Sequence, residues 1–201
     1  MRRIYKTLLV VMLGLGVFAS LSASIYFPIV YRAPATPTPT PTQTPIYGPI
    51  LLPNGDFEQG AVIWTESSNH NFDIIVHTGE LPVIPHKGQW AAWLGGANDA
   101  VDKINQKVLV PADHPYLYFW LWIQSTDECD NDFANIYVAN VLIDRHDLCY
   151  DHRTNGWEQK VYNLAAYAGQ TVDLLLSVET NATEASSIYL DDFEFQVDLP
   201  R

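Results

Sequence analysis

From Ile50 onward the chain runs in short apolar stretches broken by turn residues, and nowhere does it keep the period of an amphipathic helix. Strands are predicted over 72–76, 90–94, 103–110, 116–124, 133–143, 158–164, 171–179 and 187–197. Turn chemistry separates them at Pro53-Asn-Gly55, His86-Lys-Gly88, Pro111-Ala-Asp113, Thr154-Asn-Gly156 and Ala168-Gly-Gln170. In 171–179 the residues Val172, Leu174, Leu176 and Val178 share one face, so that strand has one buried and one wet side. In 187–197 the same alternation puts Asp191 on the face of Tyr189, Phe193, Phe195 and Val197, where a carboxylate needs a partner. Many short strands at this spacing predict an all-β fold, an antiparallel β-sandwich of jelly-roll type, over 50–201.

The first 32 residues have a different pattern. Arg2, Arg3 and Lys6 precede an uncharged stretch from Thr7 to Tyr31, which reads as a signal peptide or an uncleaved signal anchor that exports the rest of the chain. Residues 33–49 hold the run Pro-Ala-Thr-Pro-Thr-Pro-Thr-Pro-Thr-Gln-Thr-Pro, a stiff extended linker. The expected location is therefore extracellular or at the cell surface, with membrane contact only through the N-terminal segment.

Charge sharpens this division. Of 11 basic residues, four (Arg2, Arg3, Lys6 and Arg32) precede residue 46, where there is no acid, so the rest carries 7 basic against 23 acidic side chains, or −16. Such a surface repels nucleic acid and suits bound cations or neutral ligands. Cys129 and Cys149 are the only cysteines, and in an exported domain they predict a disulfide. Between strands, Asp127, Asp130, Asn131 and Asp132 could hold a second cation, but their spacing fails the EF-hand pattern and the expected reading is a solvated acidic loop.

Several blocks carry a resemblance in order: Leu52-Pro-Asn-Gly-Asp-Phe-Glu58, Gly88-Gln-Trp-Ala-Ala-Trp-Leu-Gly95, Leu117-Tyr-Phe-Trp-Leu-Trp, Thr154-Asn-Gly-Trp157 and Ser187-Ile-Tyr-Leu-Asp-Asp-Phe193. Together they resemble the jelly-roll (galactose-binding-like) carbohydrate-binding modules appended to xylanases and cellulases, and the related sandwich domains of secreted metalloproteases. The resemblance implies one structural calcium ion held by Glu58 and Asp191, with Asp192 in reserve, and a polysaccharide or other glycan as partner. In 116–123 the aromatic residues Tyr116, Tyr118, Trp120 and Trp122 alternate with an aliphatic face. If the aliphatic face is the core, the row Tyr118, Trp120 and Trp122, extended by Trp90, Trp93 and Trp157 with Asn135, Asn140 and Gln159 beside it, is either an open sugar platform or a set of large aromatics buried beneath loops. The other reading is a structural or adhesive protein-contact domain of the cell envelope. Enzyme chemistry has little support: no catalytic residues are assigned, since Asp113-His114, His146-Asp147 and Asp151-His152 would point to opposite faces of a strand.

Overall fold

A computed structural model describes residues 48–197. The export segment 1–32 and nearly all of the linker 33–49 lie outside the described residues. In chain order the strands are β1 (Ile50–Leu51), β2 (Thr65–Ser68), β3 (Ile75–His77), β4 (Trp90–Gly95), β5 (Val101–Leu109), β6 (Tyr116–Gln124), β7 (Phe133–Val138), β8 (Val141–Asp147), β9 (Glu158–Asn163), β10 (Thr171–Glu179) and β11 (Ser187–Gln196). They form two antiparallel sheets, one in the order β3-β4-β11-β6-β9 with β1 also on β11, the other in the order β2-β5-β10-β7-β8. The all-β sandwich predicted from the alternation is what the chain builds.

The core lies between the sheets. Leu117, Phe119, Leu121 and Ile123 of β6 face Val172, Leu174, Leu176 and Val178 of β10 within one buried cluster. The aliphatic face of β6 is therefore the interior, and its aromatic face points away from the second sheet.

Two differences from the predicted strands have local causes. The single strand expected over 133–143 is a hairpin, because Ala139 and Asn140 take φ of +50° and +63° and reverse the chain between β7 and β8. Two consecutive positive φ values make a turn normally announced by glycine, and no glycine stands there. Strand β11 carries a bulge: Asp191 pairs with Trp120 but Glu194 pairs with Tyr118, and Asp192 absorbs the extra residue at φ +52°. Among the described residues no helix is long and apolar enough to cross a membrane.

Candidate functional site

The loop after β1 is built around Asn54. Its side-chain amide donates to the carbonyls of Gly60 (2.9 Å) and Val62 (2.8 Å), its Oδ1 accepts from Gln59 N–H, and its own carbonyl accepts from Trp64 Nε1. This pulls Phe57 fully inside, where its ring meets Trp64 at 5.3 Å and Phe193 at 5.8 Å between centroids. Glu58 is then directed at the turn before β4, and its Oε1 accepts from the backbone N–H groups of Gln89 (2.8 Å) and Trp90 (2.9 Å). Gly88 makes this approach possible: it sits at φ +62°, and a Cβ there would overlap the Glu58 carboxylate.

The bulge in β11 delivers the second half of the site. Before it, Ile188 and Leu190 face the core and Tyr189 faces outward; after it, Phe193 and Phe195 return to the core. Asp191 therefore does not share the face of Phe193, as unbroken alternation implies, but lies on the outer face with 0% exposure. Its Oδ2 accepts from Lys87 N–H at 3.2 Å and its Oδ1 from Asp192 N–H at 2.8 Å. Burial, and then the neighbouring charge of Asp192, push the Asp191 carboxyl up to about 8. Asp192 turns to His86, whose Nδ1 is 2.5 Å from its Oδ2, and to Lys87 Nζ at 3.5 Å. Glu58, Asp191 and Asp192 thus meet around one turn, 86–90, a convergence that sequence spacing alone leaves undecided. Asp192 already meets the His86 ring and the Lys87 ammonium, whereas Asp191 has only backbone donors.

Of the two arrangements that the sequence leaves open for the aromatic face of the first sheet, an open platform or burial beneath loops, the structure has mostly the second. The segment 78–88 crosses that face, and Val76, Leu81, Val83, Ala91 and Tyr189 form a second small core, with Trp93, Trp122 and Trp157 packed against it. Tyr118 is only 1% exposed, and the His86 ring stacks on Trp120 at 4.0 Å and 16°. Trp157 fastens the crossing segment by donating from Nε1 to the Ile84 carbonyl at 2.9 Å. Trp90 departs further: β4 alternation puts it with Ala92 and Leu94 against the main core, opposite to Trp93. Asn135 belongs to the other sheet and Asn140 to its hairpin, so only Gln159, opposite Trp120 in the β6–β9 register, stands beside the row.

What stays open is the end of the row. Trp122 lines a groove of about 600 Å³ together with Gln124, Thr126, Arg153, Asn155 and Ser187. An indole bordered by the Arg153 guanidinium and by several uncharged hydrogen-bonding groups offers an apolar surface for the C–H face of a sugar ring and partners for its hydroxyls.

Of the acid–imidazole neighbours, Asp113 and His114 do meet, at 2.9 Å, because they sit in the turn between β5 and β6 rather than on a strand. His114 is completely buried with its Nε2 3.1 Å from the Gly48 carbonyl, which ties down the start of the domain. His146 pairs with Asp144 at 3.4 Å instead of Asp147, and burial holds its imidazole below the usual value. The predicted disulfide is in place between Cys129 and Cys149. It closes a loop of 20 residues, so a Cys129→Ala, Cys149→Ala double variant is expected to lose about 3 kcal/mol in chemical denaturation.

No protein-family profile matches the chain. The pre-pro-metalloprotease PrtV of Vibrio cholerae serotype O1 is 25% identical over 128 residues, covering 57% of this chain but 14% of that protein, so the chain corresponds to a small part of it. Among solved structures, TmCBM61 in complex with β-1,4-galactotriose superposes with a TM-score of 0.53 at 16% identity, over 73% of this chain and 97% of that one. The domain has a carbohydrate-binding-module-like fold. The K3 cleaved adhesin domain of Lys-gingipain from Porphyromonas gingivalis overlaps this module-like domain more loosely, with a TM-score of 0.48 at 17% identity over 74% of this chain and 98% of that one.

Proposed function

We propose that this is an exported, surface-displayed, non-catalytic domain that binds a neutral glycan and is stabilised by calcium at Glu58 and Asp191. The observation that carries the glycan reading is the groove beside Trp122, where one indole shares the lining with Gln124, Thr126, Arg153, Asn155 and Ser187. The acidic domain, at −16 outside the N-terminal segment, disfavours anionic ligands. TmCBM61, which shares the fold, is described in complex with galactotriose. Export rests on the N-terminal sequence and on the likeness to part of a pre-pro-metalloprotease.

The calcium reading rests on the chemistry of the donors. Calcium takes six to eight oxygens, and Glu58 and Asp191 bring two carboxylates to a turn whose backbone is also oxygen-rich. A buried carboxylate with no cationic partner, as Asp191 is, fits such an ion, while Asp192 is satisfied by His86 and Lys87. When bound, the ion supplies only local charge balance and a tie between the opening loop and β11.

A glycan array probed with the full chain tests the function. Binding to neutral oligosaccharides is expected, weakened about tenfold by Asn155→Ala if that amide donates one good hydrogen bond, with no change in melting temperature. The absence of any glycan signal would favour the adhesive reading. That reading has its own observation: Leu175, Tyr137 and Leu142 form a cross-strand row on the outer face of the second sheet, and Leu142 is 46% exposed.

A further inference from the structure

The loop before β7 is folded inward rather than solvated, with Asp127 4% exposed and Asp132 0%. Backbone fixes what lies against it. Leu148 N–H donates to the Asp132 carbonyl, Tyr150 N–H donates to the Asp127 carbonyl, and Phe133 pairs with Asp147. The end of β8 and the turn after it are thereby held against this loop, and the Cys129–Cys149 disulfide closes the stretch.

Side chains of three chemistries converge at that closure. The Asp147 carboxylate, both cysteine sulfurs and the His152 imidazole offer donor atoms that all lie within 4.8 Å of one another. Three of the four come from one short run, Asp147-x-Cys149-x-x-His152. Cys149 precedes a single 3-10 turn, Tyr150–His152, and the His152 N–H donates to the Cys149 carbonyl at 3.1 Å, which brings the imidazole back toward the sulfur. Asp147 Oδ2 accepts from Asp130 N–H at 3.0 Å, which orients the carboxylate, and its Oδ1 is buried without a hydrogen-bond partner. The His152 side chain is 59% exposed and approaches Asp147 Oδ2 no closer than 3.9 Å, so its ring nitrogens are available. With the disulfide closed, only a carboxylate and an imidazole can donate. With it open, the set becomes two thiolates, an imidazole and a carboxylate, the four ligands a structural zinc ion takes.

We propose that Cys129, Asp147, Cys149 and His152 form a tetrahedral zinc site when the disulfide is reduced, so that this loop is closed either by the S–S bond or by the metal. Reduction takes two electrons and two protons from a dithiol, which itself becomes a disulfide, and turns the S–S bond into two thiols. Zinc displaces the two thiol protons and binds both sulfurs as thiolates. A two-electron oxidant reverses the exchange, re-forming the S–S bond and releasing the ion. Thiolate and imidazole donors select zinc over calcium and magnesium. A zinc ion about 2.0–2.3 Å from each donor sets tetrahedral donors roughly 3.5 Å apart, so atoms already within 4.8 Å need shift by only about an ångström once the sulfurs are free to separate. Arg145 and Arg153 line the cleft of about 380 Å³ that also contains Asp147 and His152, and they offset the excess negative charge of three anionic ligands on a dication. On the proposed export route the chain passes from a reducing to an oxidising compartment, so zinc closes the loop before the disulfide does. The site depends on neither the glycan nor the calcium reading.

Titration of the full chain with cobalt(II) as a spectroscopic stand-in for zinc tests it, in a phosphine reductant and in excess calcium, which occupies the Glu58–Asp191 site. The reduced chain is expected to bind one cobalt with thiolate-to-metal charge-transfer absorption and tetrahedral ligand-field bands, both lost on adding zinc, and the disulfide-bonded chain to show neither. His152→Ala and Asp147→Asn should each weaken zinc at least about tenfold, and Cys149→Ser should abolish the charge-transfer absorption. Asp151→Asn, an exposed acid in the same turn that is not one of the four donors, should leave the affinity within about twofold. Zinc should also raise the melting temperature of the reduced chain by roughly 5 °C and leave that of the oxidised chain unchanged. A reduced chain that takes up no cobalt or stays unfolded with zinc present, equal uptake by the oxidised chain, or affinities of His152→Ala and Asp147→Asn both within twofold of wild type would each overturn the assignment.

Discussion

Gly55→Ala is expected to destabilise the domain by about 3 kcal/mol, the upper range for a forced overpacking, and to lower the melting temperature by roughly 10 °C in a thermal scan. The reason is backbone rather than side chain. Phe193 N–H donates to the Gly55 carbonyl at 2.9 Å, and Leu52 N–H donates to the Phe193 carbonyl at 3.2 Å, so the opening loop and β11 are laced together across Gly55. A Cβ at residue 55 would be driven into the Phe193 carbonyl oxygen, with the Leu52 carbonyl a further 3.0 Å neighbour. Neither obstacle is the far end of a flexible side chain, so relief requires separating the two segments. Because this lacing also carries Glu58 toward the turn 86–90 and the bulge that presents Asp191, the variant should lose calcium stabilisation together with stability. A melting temperature within 2 °C of wild type would show that the two segments are not held as described.

The same contact shows why the fold is legible in the sequence while its site is only partly so. The alternation of β6 and, apart from Leu175, of β10 follows backbone periodicity, which survives in one dimension, and the Leu52-Pro-Asn-Gly-Asp-Phe-Glu58 block is legible as a contiguous motif. Alternation misplaces Asp191 because the bulge at Asp192 resets it, and a positive φ at a non-glycine residue leaves no mark in composition. The same rule puts the aromatic row of β6 correctly opposite the core, but it says nothing of what lies above a sheet. There the segment 78–88 brings His86 over Trp120 and fastens to Trp157. The acidic turn escapes sequence reading for a related reason: exposure of Asp127 and Asp132 is set by the disulfide and by hydrogen bonds from Leu148 and Tyr150, contacts long-range in sequence.

In chelator, wild-type protein is expected to lose stability as the pH is raised from about 4 to about 8, and Asp191→Asn to remove most of that loss. The sign is set by the Asp191 carboxyl, which sits near 3.8 in the unfolded chain and is pushed up to about 8 in the fold, chiefly by burial and then by the charge of Asp192. Below the lower value both states are protonated and the group contributes its full stability. Between the two, the folded state holds a proton that the unfolded state has released, so stability falls by up to about 1.4 kcal/mol per pH unit and levels off above the upper value. Asp132, also raised by burial, adds in the same direction, while His146, lowered by burial, opposes it as pH falls, so the difference between wild type and Asp191→Asn isolates the one carboxyl. Over pH 5 to 8 the wild type should drop by roughly 10 °C in melting temperature and the variant by much less. Saturating calcium should flatten the wild-type profile, since an ion at the carboxylate replaces the proton and stabilises the folded state by mass action. A wild-type curve in chelator that rises between pH 5 and 8, or a calcium response unchanged in Asp191→Asn, would remove Asp191 from the cation site and leave its burial as packing alone.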